Sequence, residues 1–436
     1  MFRQMANAVG RARPRSVRSR DLVAIAALAL LLRTAWVLVY GRTTPALNDT
    51  LFYLVAADGL ASNEGFKALP GQPSAHWPPG FPFLVSLAYR VFGVHPEVGL
   101  AVNVLLSAAT AVLLYLVAER MLGRMAGLVA GGTFAVLPGP LFFTGLFLSE
   151  TTFMFMLVGF LALAVFVPDR RWSPVLLGIA AGLAALTKGE GVLLAVVPIA
   201  MWWGHHRRSA VVRRGAVMLV AMVLTILPWT IRNAIVMDAF IPVSTNASTT
   251  LWSGHNERAT GGVVYAPSSL YEKVPGRNDP QRAEVGEARL LRREAIEWAI
   301  HNPDKELGLI PRKLVALGGA TSAVFPLWFN SGDERQVGAS DVFGVLADAL
   351  DYALIFLSLA SLILIGPRRL WRIHPGMQGV LAYLGLCLVT YGFVYYGQFR
   401  YRIPMEPLMI LVATPLVVRV LRYRRPAGEA VATARS

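Results

Sequence analysis

Long apolar runs separated by short polar connections make up most of this chain. A helix needs about 20 mostly apolar residues to cross the hydrocarbon core of a membrane. Ten runs meet or approach that length, and they predict an all-α polytopic membrane protein with about ten transmembrane helices. The runs are 22–40, 98–118, 124–141, 148–167, 174–187, 190–203, 214–231, 347–366, 378–396 and 404–421.

Two connections are much longer than the others. The outer loop 41–97 contains the short apolar piece 81–93, which is too short to span and is expected to lie along the membrane interface. The second long connection has helical apolar spacing over 281–301, ended by Pro303. The sequence therefore divides into a basic N-terminus (1–21), a transmembrane module with the outer loop 41–97 (22–231), a larger extracytoplasmic loop domain (232–346), C-terminal transmembrane helices (347–421) and a tail (422–436).

The distribution of charge predicts how the chain is oriented in the membrane. The formal net charge is +15, yet only 15% of the residues are charged and 55% are hydrophobic. Basic clusters occupy every second connection, as in cytoplasmic membrane loops, and this distribution argues against a nucleic-acid partner. We expect a multi-pass protein of the cell inner or plasma membrane, with both termini cytoplasmic and a first span that is an anchor rather than a cleaved signal peptide. The clusters lie at 3–20, 120–124, 170–171, 207–214, 368–372 and 422–425.

Cofactor chemistry receives no support from the sequence. Cys387 is the only cysteine, so no internal disulfide can form. Neither a metal-ligand spacing nor a phosphate-binding or dinucleotide-binding glycine motif stands out. We predict no cofactor and no metal site; a divalent metal requirement is unsupported, and a nucleotide-dependent mechanism is disfavoured.

Two carboxylates are expected at the outer membrane face. Asp49 follows the first span by a few residues and is a candidate general base toward a hydroxyl acceptor. Its spacing alone favours another role, in which it caps a short helix that runs through Tyr53. Glu150 begins a span, where its charge also suits a helix N-terminus.

Three cations on the same face are candidate binding groups. Lys188 lies near a bilayer boundary just before Gly189 and Gly191, and it is either a functional group or a side chain that extends its amine to the interface. Arg400 and Arg402, with Tyr401 between them, break the pattern of basic residues on the cytoplasmic side. Arginine binds phosphate in a bidentate way, so an anionic lipid headgroup or lipid-linked phosphate would explain this exception.

Two further outer-face residues are weaker candidates. His76 belongs to the segment HWPPGFPF, whose prolines and aromatics favour a structural turn at the interface over a direct catalytic role. Arg232 emerges at the outer face just before a Ser/Thr/Asn/Gly-rich stretch at 241–262. That stretch has the composition of a polar binding loop, but any loop has a similar composition.

These features in this order resemble the multi-span C-type (GT-C) glycosyltransferases, in the branch related to protein O-mannosyltransferases and the bacterial aminoarabinose transferase. The resemblance runs from Asp49 to Pro404, and its specificity comes from the order and spacing of several motifs. They are Asp49 itself, HWPPGFPF, FLSE, ALTKGEG, LPWTIRN followed by STN, LWSGHNERATGG, NPDKELGLIPRKL and FRYRIP.

The resemblance implies a glycosyltransferase whose active site faces the extracytoplasmic side. Its donor would be a polyprenyl-phosphate-linked sugar, with membrane lipids as surroundings and an acceptor that the sequence does not identify. It also implies that Asp49 is the general base, that Glu150 is the second acidic position, and that the donor phosphate lies near Lys188, Arg400 and Arg402. Tyr53, His76, Arg232 and Tyr401 complete the candidate substrate-binding set. Relatives often carry a second acidic residue beside the first-loop Asp, whereas Asn48 and Thr50 flank Asp49 here.

Two other classes of function stay open at this level. A transporter or flippase for a lipid-linked or anionic solute is compatible with the bundle and with Lys188. A non-catalytic assembly protein that uses the 232–346 loop for protein contacts is the third possibility.

Overall fold

The computed structural model describes residues 19–41, 48–68, 71–168, 170–276, 278–324 and 334–423. These ranges are helical almost throughout, apart from the two-stranded antiparallel hairpin Lys67–Ala68 and Gln72–Pro73. The helices are α1 Ser19–Tyr40, α2 Asn48–Ala61, α3 Gly80–Phe92, α4 Pro96–Leu122, α5 Arg124–Val136, α6 Pro138–Thr144, α7 Glu150–Phe166, α8 Ser173–Thr187, α9 Val196–Trp203, α10 Arg208–Met237, α11 Asn246–Gly254, α12 Ser268–Tyr271, α13 Pro280–His301, α14 Pro303–Leu317, α15 Glu334–Leu364, α16 Pro367–Ile373, α17 Pro375–Val389, α18 Phe399–Arg402 and α19 Glu406–Tyr423. Turns of 3₁₀ helix join several of them, at Gly189–Ala195, Thr321–Val324 and Ile403–Met405, and a π-helical turn, Thr390–Val394, extends α17.

All ten apolar runs are helical, so the prediction of an all-α polytopic membrane protein is confirmed. Within the described ranges, six helices are long and apolar enough to cross a membrane, and the pair α5 and α6, bent by 52°, makes a seventh if it is one span. The runs around α7, α8 and α9 form shorter apolar helices. A 15-residue helix such as α8 is about 22 Å long, less than the roughly 30 Å of a bilayer core. The total of about ten spans therefore stays a prediction.

The two long connections contain the helices expected from their spacing. The piece 81–93 forms α3, whose 13 residues are too few to span. The amphipathic stretch forms α13, which Asp279 caps by accepting hydrogen bonds from the backbone N–H of Gln281 and Arg282. The proposed boundaries at 231 and 346 fall inside α10 and α15, because each helix continues beyond its apolar run. Those boundaries mark changes of hydropathy rather than helix ends.

Small residues allow two of the apolar helices to approach closely. Gly178 and Gly182 lie one turn apart on α8 and face α10. A Cβ added at Gly178 would lie 2.2 Å from the carbonyl oxygen of Met218, and one added at Gly182 would lie 2.6 Å from the side chain of Thr225. Close backbone packing of this kind is typical of helices in membranes, where it replaces the hydrophobic driving force of water.

A buried arginine stabilises the bend between α5 and α6. Pro138 has no N–H, so the carbonyl of Phe134, four residues earlier, loses its helical partner. Arg33 of α1 is fully buried and donates to the carbonyls of Phe134 (3.0 Å) and Ala135 (2.9 Å) and to the Ser107 hydroxyl. The guanidinium also lies 5.2 Å from the Phe134 ring centroid. One side chain therefore connects α1 and α4 to the bent pair.

We expect Arg33→Met to destabilise the protein, because it leaves these buried acceptors without the donors that Arg33 supplies. A buried polar group without a partner costs about 1–3 kcal/mol, so the free energy of unfolding should fall by about 2–5 kcal/mol. The apparent melting temperature of the purified protein in detergent measures this loss. Leu30→Met, at a position of α1 with 37% exposure, is the matched control. Equal melting temperatures for the two variants would contradict the role given to Arg33.

Candidate active site

Four charged side chains from distant parts of the chain meet at one place. Glu150 is the first residue of α7, and its Oε1 accepts from Lys188 Nζ at 3.1 Å and from Arg400 Nε at 2.5 Å. Arg400 Nη1 also donates to Asp49 Oδ2 at 2.6 Å. The result is a continuous chain from Lys188 through Glu150 and Arg400 to Asp49. Formally it contains two negative and two positive charges.

Local structure explains how each of these residues reaches the cluster. Asp49 is in the first turn of α2 and Glu150 in the first turn of α7, where helix N-termini favour negative charge. Lys188 follows the last residue of α8 in extended backbone, which ends that helix and turns the side chain toward Glu150. Arg400 belongs to the single helical turn α18.

The two carboxylates differ in their exposure. The Glu150 side chain is fully buried, whereas 18% of the Asp49 side chain is exposed. Lys188 and Arg400 are exposed by 14% and 19%. A group that reacts with a bound molecule must be reachable, so Asp49 can meet a substrate directly. Glu150 is instead a buried counterion that keeps Lys188 and Arg400 side by side.

Tyrosines line one side of the charged cluster. The Tyr401 ring stacks on Tyr391 with centroids 4.8 Å apart, and Lys188 Nζ lies 5.4 Å from the Tyr401 centroid. The hydroxyl of Tyr401 donates to that of Tyr396 at 2.9 Å, and the hydroxyl of Tyr391 donates to Glu190 at 2.7 Å. The cationic groups therefore adjoin an aromatic surface with hydroxyl groups, which suits an amphipathic ligand.

The first outer loop places Tyr53 and His76 differently from what the sequence predicted. Tyr53 lies one turn beyond Asp49 on α2 but is 2% exposed, and its hydroxyl donates to Ser149, next to Glu150. Tyr53 therefore supports the turn before Glu150 and does not face a ligand. His76 is half-buried between the Phe52 and Trp77 rings. Burial lowers the pKa of His76 despite opposing effects of Glu284 and Asp49, so at neutral pH the ring is mainly uncharged.

Arg232 holds the first outer loop rather than presenting a free cation. Its Nη1 donates to the carbonyl of Ser74 at 2.6 Å and its Nη2 to the carbonyl of Phe66 at 2.9 Å. The guanidinium also lies 4.8 Å from the Trp229 ring centroid. Arg232 therefore ties the hairpin region to α10, and we do not include it in the proposed binding site.

Arg402 lies apart from Arg400, contrary to the sequence interpretation that the two form one phosphate site. The segment Phe399–Arg402 is helical, and residues two apart on a helix do not face the same way. Arg402 is 3% exposed and pairs with Asp351 at 2.8 Å and Glu406 at 3.3 Å. Its charge is therefore already balanced inside the bundle, where it joins α18 to α15 and α19.

Two acidic residues that the sequence analysis did not single out support the site. Glu284 of α13 accepts from the Ser74 hydroxyl at 2.7 Å, from the backbone N–H of Ala75 at 3.0 Å and from the Thr245 hydroxyl at 3.0 Å. It therefore orders the segment before His76. Glu190, the partner of Tyr391, is part of the quoted motif ALTKGEG, and its acidic character beside Lys188 was the available signal.

The described residues contain no group of three or more His, Cys, Asp or Glu side chains that could hold a metal ion. The Arg400 guanidinium bridges Asp49 and Glu150, so a side chain supplies the positive charge between these two carboxylates.

Comparison with known proteins identifies the architecture. A family model described as dolichyl-phosphate-mannose-protein mannosyltransferase matches residues 76–231, which include Glu150 and Lys188 but neither Asp49 nor Arg400. No curated protein sequence matches the chain. The crystal structure of the apo oligosaccharyltransferase of Archaeoglobus fulgidus superposes with a TM-score of 0.53 at 15% identity, over 95% of this chain and 52% of that one.

The chain has the GT-C fold. A second Archaeoglobus fulgidus structure, AglB in complex with an inhibitory peptide and a dolichol-phosphate, matches with a TM-score of 0.50 at 16% identity, over 94% of this chain and 52% of that one. The chain thus spans about half the length of these oligosaccharyltransferase structures. ArnT from Cupriavidus metallidurans, bound to undecaprenyl phosphate, gives a TM-score of 0.48 at 15% identity, over 92% of this chain and 79% of that one. That last likeness is too low to support an argument.

The difference in burial between the two carboxylates predicts different effects on stability. Glu150→Gln leaves the charges of Lys188 and Arg400 without their shared buried partner, a change that typically costs about 3–5 kcal/mol. Asp49→Asn removes a partly exposed partner, so the loss should be smaller. The apparent melting temperature should be highest for the wild type, lower for Asp49→Asn and lowest for Glu150→Gln.

Glu64→Gln is the matched control for that series, because Glu64 pairs with Lys67 on the surface. Its melting temperature should equal that of the wild type, since exposed ion pairs contribute little to stability. A melting temperature of Glu150→Gln equal to that of Glu64→Gln would exclude a structural role for Glu150.

Proposed function

We propose that this protein is an integral membrane glycosyltransferase that transfers a sugar from a polyprenyl-phosphate donor to an extracytoplasmic acceptor. The observation that carries the proposal is the arrangement of Lys188 and Arg400 on one carboxylate, next to the partly exposed Asp49. The GT-C fold, the family description and the dolichol-phosphate in the AglB structure support it. The positive-inside pattern of the loops supports an extracytoplasmic position for the cluster.

Lys188 and Arg400 bind the donor phosphate in this proposal. Both groups contact the same oxygen of Glu150, so their positive ends lie close together. They can stabilise the charge that collects on the lipid phosphate as its bond to the sugar breaks. Tyr401, which is partly exposed and stacks on the buried Tyr391, provides an adjacent aromatic surface for the apolar parts of the donor.

Asp49 acts as the general base. It takes the proton from the acceptor hydroxyl while the acceptor oxygen forms a bond to the anomeric carbon of the donor sugar. The bond between that carbon and the phosphate oxygen breaks, and the lipid phosphate leaves with the electron pair. No nucleotide is consumed, because the lipid phosphate is itself the activated leaving group.

Donor binding also prepares the base in this mechanism. Arg400 pairs with Asp49 at 2.6 Å. A phosphate competes with Asp49 for the guanidinium, because both are anions that bind it through charge-assisted hydrogen bonds. Asp49 is thus released toward the acceptor when a donor is in place. Glu150 continues to hold Arg400 from the buried side.

We expect Asp49→Asn to abolish most of the transfer while it preserves or strengthens binding of the lipid phosphate. Loss of a general base lowers the rate by about 10²–10⁴-fold, whereas removal of the anion that competes for Arg400 favours phosphate. Transfer is measured in membranes supplied with a polyprenyl-phosphate sugar, and binding is measured with undecaprenyl phosphate. Wild-type transfer by this variant would refute the base assignment. Movement of the lipid without any new glycosidic bond would favour a flippase instead.

We expect Lys188→Gln and Arg400→Gln to weaken binding of undecaprenyl phosphate by about 10–100-fold each, since a hydrogen bond to a charged group contributes about 1.5–3 kcal/mol. Arg282→Gln, which changes an exposed arginine of α13, is the control and should bind as the wild type does. We now expect Arg402→Gln to act on stability rather than on phosphate affinity. Unchanged affinity in both site variants, with intact folding, would contradict the phosphate assignment.

A further inference from the structure

A cleft opens in the extracytoplasmic loop domain between α11, α12 and α13. Its volume is about 280 Å³, at the lower end of the range for small-molecule sites, so it fits a small unit rather than a folded partner. The residues that carry its chemistry are two tryptophans and four charged side chains. They are Trp252, Trp298, Glu257, Arg258, Lys273 and Glu294.

The lining of the cleft favours a neutral, hydroxyl-rich ligand. Indole rings offer flat apolar surfaces on which the C–H faces of a sugar ring can stack. The charged residues contribute two carboxylates and two cations, so no excess charge favours an anion or a cation. Together they offer both hydrogen-bond donors and acceptors, and a sugar needs both because each hydroxyl is donor and acceptor at once.

The wall of this cleft is physically connected to the candidate active site. Trp252 belongs to α11, which ends at Gly254, and a Cβ at Gly254 would lie 2.7 Å from the carbonyl oxygen of Tyr395. His255 Nε2 donates to the carbonyl of Val394 at 2.9 Å. The chain continues from there to Arg400 within one short segment, so the cleft and the charged cluster share a structural element.

A buried ionic group keeps this connection rigid. His255 Nδ1 lies 2.7 Å from Glu306 Oε1, and the fully buried Lys313 has its Nζ 3.7 Å from Glu306 Oε2. The opposite side of the segment is also closely packed, because a Cβ at Gly397 would clash with the carbonyl oxygen of Lys313. The segment before Arg400 therefore lies tightly between α11 and α14.

We propose that the cleft is a saccharide-binding subsite that receives a neutral sugar unit of the acceptor. Its role as an acceptor subsite rests on the proposed glycosyl transfer, whereas sugar binding in the cleft does not. A ligand in the cleft would contact α11, and the end of α11 packs against the segment that leads into Arg400.

Sugar binding is measured on the full-length protein in lipid nanodiscs by saturation-transfer difference NMR. The probes are D-mannose, D-glucose, D-galactose and α-1,6-mannobiose, with glucose 1-phosphate as the charged comparison. We expect saturation transfer to at least one neutral sugar. Trp298→Ala should weaken that binding by roughly tenfold or more, because it removes one stacking surface. Ser269→Trp, which fills the cleft but keeps both tryptophans and all four charged side chains, should have the same effect.

Trp203→Ala is the control, because this tryptophan is 61% exposed at the end of α9. The control should leave sugar binding unchanged, and all variants should keep the wild-type affinity for undecaprenyl phosphate. The proposal is overturned by absence of transfer to every neutral sugar, by transfer that neither cleft variant reduces, or by preferential saturation of glucose 1-phosphate. Binding of an unglycosylated peptide in the cleft without any sugar binding also overturns it.

The two proposals fail in distinguishable ways. If Asp49→Asn transfers sugar as the wild type does, the base assignment fails, and the NMR result on the cleft still stands. If the cleft variants bind sugars normally while Asp49→Asn is inactive, the subsite fails and the proposed transferase activity stands.

Discussion

The candidate site depends on the ion pairs that the buried carboxylate of Glu150 forms with Lys188 and Arg400. A fully buried negative charge is unfavourable unless it is paired, so the structure must bring cations to it. Two arrive, from α18 and from the end of α8, and they meet on a single oxygen. Each of these cations would itself be costly at the edge of a membrane without Glu150. The acid and its partners therefore fix one another, and a second carboxylate, Asp49, remains partly exposed beside them.

The same rule accounts for the other charges placed inside the bundle. Arg33 donates to the Phe134 carbonyl that Pro138 leaves without a helical partner, and Arg402 is paired with Asp351 and Glu406. In each case a buried charge joins helices that are distant in the sequence. Such interhelical contacts add to the close packing of small residues that drives helix association in a membrane. The charge pairs thus set how the helices that carry Asp49, Glu150 and Arg400 face one another.

The sequence alone predicted the helices and the charged residues of the candidate site, but not how these residues meet. Apolar run length predicted the helices, and charges at helix ends identified Asp49, Glu150, Lys188 and Arg400. Their convergence was beyond prediction, because Arg400 and Glu150 are 250 positions apart and no local pattern encodes such a contact. Neighbours in sequence were misleading for a related reason. Arg400 and Arg402 form one motif in the sequence, yet the helical turn of α18 points them into different clusters.

The position of the loop domain follows from the same short segment. Arg400 lies only a few residues after Val394. The segment between them packs against His255 on one side and Lys313 on the other. A ligand that orders α11 would therefore order the approach to Arg400, since the two share backbone contacts rather than a flexible linker. In a reaction that needs donor and acceptor together, this connection would favour the arrangement in which both sites are occupied. Under the proposed function, the loop domain would then contribute to the geometry of the reaction as well as covering the bundle.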